Sequence, residues 1–332
     1  MGDKLPFVSV IIPCRNEDSF IARCLESLIG NDYPKERMEI LVVDGSSTDH
    51  TKDIASRYSE KHSYIRLLDN PRKTTPVAMN IGINAARGEL VTKSDAHSAY
   101  PPNYISTCVR YMAEFRADVV GGEAIATPGE DSRTARAIVL SLRSTFGTGG
   151  SRFRMGVTKP VWADTAFGPL YRKALFGQTG LYNEALTRSQ DMDMSIRIKR
   201  AGGRILLVPE IAIAYYPKTT LSGFFQHNLS DGFWAILPVK YGTPLFRLRH
   251  LLPLGFAAGI LISAVLGFVF WPFWVFAACL AGLYLFVSLF FSSRIAFAEH
   301  EPALIPMIVG AFTARHLGYG LGSLFGLVKL VL

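Results

Sequence analysis

Three aspartates stand where a carboxylate can act on a ligand. Asp44 closes the apolar run Glu39-Ile40-Leu41-Val42-Val43 and opens Asp44-Gly45-Ser46-Ser47-Thr48-Asp49. There it can accept hydrogen bonds from a base or a ribose, or simply cap a turn and the helix that follows. Asp95 follows Leu90-Val91-Thr92-Lys93 and is one residue away from His97. Side chains two apart in an extended segment share a face, so Asp95 and His97 can address one cation. A divalent cation there neutralises a diphosphate leaving group. Magnesium prefers oxygen ligands, whereas manganese also accepts imidazole. A polar turn with a solvated histidine is the plain alternative. Asp191, in Gln190-Asp191-Met192-Asp193, opens a helical pattern. It is either a cap favoured by the helix dipole or a general base for an acceptor hydroxyl. Arg72 follows the run Ile65-Arg66-Leu67-Leu68 and can contact a base or phosphates. Arg152 and Arg154, in the Gly- and Arg-rich stretch 146–155, can hold an anionic acceptor. For these arginines a solvated basic surface is the alternative.

The elements that must position these groups alternate. Val8 to Ile12, Glu39 to Val43, Ile65 to Leu68 and Leu90 to Lys93 read as short buried strands. Helical patterns separate them: Glu17 to Leu28, about His50 to Lys61, and Val77 to Ala86, the last closed by Gly88 as a C-terminal glycine. Such alternation predicts an α/β domain, a parallel sheet with helices on both faces. Ligands then bind outside the carboxyl ends of the strands, where Asp44 and Asp95 fall. Further strands are expected near Asp118 to Gly122 and Arg204 to Val208, and a helix within Leu186 to Ala201.

The composition changes along the chain. The 332 residues are 49% hydrophobic with a net charge of +8. Leu251 to Trp271 and Pro272 to Ser292 carry no charge, and each is about long enough to cross a bilayer. Trp271 and Pro272 mark the expected turn between them. Ala303 to Leu332 carries Arg315 and His316 near its middle. A charge at the bilayer centre costs about 2.5–3.5 kcal/mol, so a third span and an interfacial or re-entrant segment stay open. Residues 1–220 are expected as a catalytic domain, 221–250 as interfacial amphipathic helices and 251–332 as the membrane region. Lys240, Arg247 and Arg249 precede the apolar region and suit an anionic cytoplasmic leaflet. The opening run is too short for a signal peptide, which predicts a cytoplasmic catalytic domain on a multi-pass plasma-membrane protein. The four cysteines show neither metal-ligand spacing nor a disulfide framework, which fits a reducing compartment. No nucleic-acid motif accompanies the basic charge.

Taken together, the segments resemble the family 2 glycosyltransferases, inverting enzymes of the A-type fold. The matching pieces are Val8-Ser9-Val10-Ile11-Ile12-Pro13-Cys14-Arg15-Asn16-Glu17, Val42 to Thr51, Asn80-Ile81-Gly82, Ala86-Arg87-Gly88-Glu89, Asp95-Ala96-His97 and Gln190-Asp191-Met192-Asp193. They run in family order over about Phe7 to Pro209. The resemblance implies a Rossmann-like, mixed sheet with helices on both faces, followed by C-terminal transmembrane helices. It implies that Pro13, Arg15, Glu17, Asp44, Ser46, Arg72, Asn80, Asp95 and Ala96 line a nucleotide-sugar site. Asp95, with His97, would hold Mn2+ or Mg2+, and Asp191 would be the base. Gln226-His227-Asn228 with Phe233-Trp234 resembles the family's acceptor and diphosphate motif, so Gln226, His227 and Trp234 join Arg152, Arg154 and Gln190 as acceptor or diphosphate candidates. His97 stands where the family has a second Asp, and Gln190 where it has a Glu. Both variants resemble the succinoglycan-type exopolysaccharide glucosyltransferases.

The expectation is therefore a sugar transferred from a UDP-sugar, UDP-glucose being the named candidate, to a polyprenyl-linked saccharide at the membrane, with lipid contact and no nucleic acid. It would serve exopolysaccharide or cell-surface glycan synthesis. Three rivals make different products. A polyprenyl-phosphate sugar synthase needs no base, a nucleotidyltransferase releases pyrophosphate, and a non-catalytic membrane subunit transfers nothing.

Overall fold

The computed structural model describes residues 5–242 and 248–331. Arg247 and residues 244–247 of the expected interfacial stretch lie outside these residues. The chain forms two compact units. One comprises Met1–Ile125 and Arg152–Tyr215, the other Ala126–Ser151 and Tyr216–Leu332.

The first unit is an α/β layer built in sequence order. Strand β1 (Val8–Cys14) leads to helix α1 (Ile21–Ile29), β2 (Met38–Asp44) to α2 (Thr51–Lys61), and β3 (Ile65–Asp69) to α3 (Thr75–Ala85). Then come β4 (Leu90–Lys93), β5 (Ser98–Ala99), α4 (Tyr104–Glu114) and β6 (Val119–Ala126). After α5 (Arg133–Leu142), α6 (Thr145–Thr148) and α7 (Arg152–Met155) follow β7 (Val161–Ala163), β8 (Phe167–Arg172), α8 (Leu175–Thr179), α9 (Gln190–Arg200) and β9 (Ile205–Tyr215). The sheet order is β3-β2-β1-β4-β8-β6-β9-β5, with β7 paired to β9. β3, β2, β1 and β4 are parallel, and β8 runs antiparallel to β4 and β6. The sheet is thus mixed.

Alternation along each strand sorts the core into two layers. Val8, Val10 and Ile12 of β1 pack with α1 and α4 on one face. Ile11, Leu41 and Val43 pack with α3 and α9 on the other. Near the amino ends, Glu39 of β2 is fully buried and faces Ser9 of β1 in register. It accepts hydrogen bonds from Ser9 Oγ and the Arg87 backbone N–H, both at 2.7 Å, and from Arg66 Nη1 and Arg87 Nε at 3.0 Å.

Several boundaries differ from the sequence reading. α1 begins at Ile21 because Glu17 to Phe20 form a turn stapled to the β2 loop. The stretch 146–155 is not all loop, since parts of it form α6 and α7. β5, β7 and β8 went unread: β5 and β7 span only two and three residues, and β8 contains Gly168 and Pro169. Gly88 is no left-handed helix cap. A Cβ there would meet Phe7 O, Ser9 N and Leu90 O, each at 2.7 Å, so the residue allows close backbone approach instead.

The second unit is helical: α10 (Leu221–Ile236), α11 (Leu248–Leu266), α12 (Pro272–Ala298) and α13 (Ile305–Val331), with α5 and α6 packed among them. Among the described residues one helix, Pro272–Ala298, is long and apolar enough to cross a membrane. The expected span Leu251 to Trp271 is shorter than read, because α11 ends at Leu266 and the chain turns before Pro272. α13 is a continuous helix, and its polar pair faces protein. Arg315 donates to Gly147 O and to Asn228 Oδ1, and His316 lies 3.0 Å from Phe146 O and 3.1 Å from Tyr284 Oη.

One stripe joins α13 to α10. Gly318, Gly322 and Gly326 recur every fourth residue, and a Cβ at each would meet backbone of Phe225, Leu229 or Phe233. The two backbones therefore touch, as small residues at this spacing permit. At Gly322 the added carbon would lie 1.9 Å from Leu229 O. Gly322→Ala is expected to lower the stability of the detergent-solubilised chain by about 1–3 kcal/mol through overpacking. An unchanged melting temperature would show that the helices separate freely.

Candidate active site

The carboxyl edge of β1, β2 and β4 gathers the loops that the sequence singled out. Gly45 N–H bonds Cys14 O at 2.8 Å, Asn16 N–H bonds Ser47 Oγ at 3.0 Å, and Thr48 N–H bonds Asn16 Oδ1 at 2.9 Å. Asn16 and Ser46 both take positive φ, 55° each, to make this double turn. Asp44 is buried, and its oxygens accept the Ser47 backbone N–H at 3.1 Å and Ser47 Oγ at 2.5 Å. Asp44 thus shapes the loop that carries Ser46. Pro13 is the one partly buried residue of β1, and Arg15 and Ser46 are exposed beyond the strand ends. Asn80 exchanges hydrogen bonds with the Tyr182 backbone at 2.8 and 2.9 Å and donates to Glu184 at 3.0 Å. Glu184 also pairs with Arg72. Asn80 and Arg72 therefore hold residues 182–184 against α3 and the β3 loop.

A second cluster joins Asp95 to Asp191. Lys93, at the end of β4, is buried at 7% exposure. Its Nζ lies 3.1 Å from Asp95 Oδ1 and 2.6 Å from Asp191 Oδ2. Burial works against the ammonium, but the charges of Asp191 and Asp95 outweigh it and push its pKa up. Burial likewise opposes the Asp95 carboxylate, and Lys93 followed by His97 holds its pKa below the usual carboxylate range. Asp191 is in the first turn of α9, and its Oδ1 is buried without a hydrogen-bond partner. The neighbouring Gln190 is also buried, and its Oε1 is likewise unpartnered. Arg197 anchors α9 by pairing with Asp193 at 2.8 Å and donating to Thr179 O at 2.6 Å.

His97 turns to Glu17, with Nδ1 2.9 Å from Oε1. Burial alone would lower the imidazole pKa; the hydrogen bond and charge of Glu17, with Asp95, raise it instead. A carboxylate on Nδ1 fixes the proton there and presents Nε2, the arrangement that orients metal-ligating histidines. Ala96, between the two, is buried. Among the described residues no three His, Cys, Asp or Glu side chains form a metal cage. Asp95 and His97 still fit a cation whose other ligands are substrate phosphates.

The acceptor candidates fall into both units. Arg152 is exposed, and Arg154 lies 5.6 Å over the Tyr215 ring, which in turn meets His97 edge-on at 5.6 Å. Gln226, His227 and Trp234 lie on α10, where His227 pairs with Asp231 at 3.3 Å and Trp234 packs against Phe233. Sequence reasoning missed Lys93 and the Glu17–His97 pair. Lys93 carried one signal: it is a charged residue closing an apolar run, two positions before Asp95.

The sheet order, the stapled loops at its carboxyl edge and the acidic cluster define a class, the A-type glycosyltransferase fold. The family model for glycosyl transferase family 2 matches residues 9–176. The chain belongs to glycosyl transferase family 2. It is 30% identical over 296 residues to a succinoglycan biosynthesis protein, ExoA, of Rhizobium meliloti, covering 87% of this chain and 88% of that one. It is 27% identical over 330 residues to a Methanococcus voltae dolichyl N-acetyl-alpha-D-glucosaminyl phosphate 3-beta-D-2,3-diacetamido-2,3-dideoxy-beta-D-glucuronosyltransferase, covering 97% and 98%. Among solved structures, a mannosyltransferase of Pyrobaculum calidifontis with GDP-Man and Mn2+ superposes with a TM-score of 0.60 over 94% of this chain and 88% of its own, at 19% identity. That likeness concerns the fold.

Proposed function

We propose that this glycosyltransferase moves a sugar from a UDP-sugar to a polyprenyl-linked saccharide at the cytoplasmic face of the membrane, inverting the anomeric centre. The observation that carries the reading is the junction of Asp95 and Asp191 across Lys93, which brings a donor-side and an acceptor-side carboxylate together. Pro13, Arg15, Glu17, Asp44, Ser46, Arg72, Asn80 and Ala96 shape the donor pocket. The partly exposed Asp191 carboxylate takes the acceptor hydroxyl proton as the O–H bond breaks. The oxygen forms its bond to the anomeric carbon, and the bond to the diphosphate breaks with its electron pair leaving on UDP. A divalent cation held by Asp95 and His97 would neutralise that leaving diphosphate. Arg152, Arg154, Gln190, Gln226, His227 and Trp234 are the candidate acceptor or diphosphate contacts.

Three findings support the lipid-linked acceptor and the membrane setting. The Methanococcus relative's name specifies a dolichyl-phosphate-linked sugar. The Rhizobium relative is named a succinoglycan biosynthesis protein. Helix Pro272–Ala298 is long and apolar enough to cross a bilayer. The Mn2+ in the mannosyltransferase structure supports a divalent cation. The test is nucleotide release from a panel of UDP- and GDP-sugars, with membrane lipid extract and added Mn2+ or Mg2+. UDP released only with lipid and metal supports the reading; pyrophosphate, or no turnover, overturns it.

The Glu17–His97 pair gives a separate expectation. Glu17→Ala frees the imidazole and is expected to weaken cation binding about 10–100-fold. Mn2+ titration followed by electron paramagnetic resonance, with UDP present, reads this directly. Unchanged affinity would remove His97 from the cation site.

A further inference from the structure

We infer that Lys93 is a positioning residue that orients the catalytic base. The inference rests on the base assignment of Asp191 above. Lys93 is buried at 7% exposure, and a buried ammonium persists only when paired. It uses one oxygen from each of two carboxylates, Asp95 Oδ1 and Asp191 Oδ2. Asp191 Oδ1 is then left buried and unpartnered. The lysine thus fixes the carboxylate, while the Asp191 side chain as a whole stays 41% exposed and open to an incoming hydroxyl. It also ties α9, which carries the base, to the end of β4, which leads into the donor-side Asp95.

A lysine that only filled space would weaken every step alike through the fold. One that acts through Asp191 affects the chemical step and loses its effect once Asp191 is gone. Groups acting as a unit are non-additive in this way. The experiment is a cycle of Lys93→Met, Asp191→Asn and the double variant, in the full chain with lipid acceptor. Calorimetric UDP binding with Mn2+ checks the donor site. Lys93→Met is expected to lower kcat about 10²-fold, with the donor KM within about threefold. The double variant is expected to be no slower than Asp191→Asn alone. A double variant slower by the whole Lys93→Met factor overturns the inference. So does a raised donor KM at unchanged kcat, which would place the effect on Asp95. If Lys93→Met does not fold, Lys93→Arg, which keeps the cation but changes its reach, takes its place in the same cycle. Normal turnover by Asp191→Asn removes the base assignment itself and is read apart from the lysine.

Discussion

Asp191→Asn is expected to bind UDP as the unsubstituted chain does and to transfer sugar about 10²–10⁴-fold more slowly, the range for loss of one general base. The amide keeps the size of the side chain and can still accept from Lys93. What it loses is the ability to take a proton at the partly exposed carboxylate. Asp193 is no substitute, because its carboxylate is committed to Arg197. The measurement is single-turnover transfer to lipid acceptor beside calorimetric UDP binding. Near-normal turnover with intact binding would favour a phosphate acceptor, which carries no proton to remove, and with it a polyprenyl-phosphate sugar synthase.

The second large effect lies at the opposite end of the strands. Arg66→Met with Arg87→Met is expected to destabilise the chain by about 3–5 kcal/mol at neutral pH, because it leaves the Glu39 carboxylate buried without counter-charge. Removing Glu39 instead is expected to cost less. Both arginines are more than a third exposed, so they can turn to water. The pH dependence has a definite sign. Burial pushes the Glu39 pKa up, but the Arg87 backbone N–H, Ser9, Arg66 and the Arg87 charge hold it below its ordinary value. A depressed carboxylate contributes stability above its unfolded pKa, roughly 4.3, and loses it as pH falls through the folded value. In the double variant the carboxyl gains from protonation, so the stability gap should narrow between pH 7 and pH 4. Hydrogen exchange at the β1 and β2 amides, followed over that range, reads the gap. A gap independent of pH would assign the loss to packing alone.

Much of the catalytic layer was readable because its strands are short apolar runs that end abruptly in polar residues. Val42-Val43-Asp44 and Val91-Thr92-Lys93-Ser94-Asp95 mark both the strand and the edge where ligands sit. Alternation could not show which buried polar residues answer one another. Glu39 and Lys93 are charged residues inside strands, and their partners at 66, 87 and 191 are distant in sequence. Glu17 and His97 are 80 residues apart and meet only because β1 and β4 are neighbours. The antiparallel half was hardest, since β7 has three residues and β8 is interrupted by Gly168 and Pro169. In the C-terminal helices, apolar composition concealed the spacing of Gly318, Gly322 and Gly326, although the pattern is plain once a partner helix is considered.

The backbone route between the two units has an engineering consequence. The chain leaves the sheet unit after Ile125, returns at Arg152 and departs again after Tyr215. A stop codon after Tyr215 would therefore not yield a clean catalytic half. It would keep α5, whose Ala137 and Ile138 are covered by residues of the later helices, and strand that apolar surface in water. The helical unit is no detachable tail. Its first piece is spliced into the middle of the catalytic unit's own sequence, so neither half can be exchanged between relatives by a single crossover.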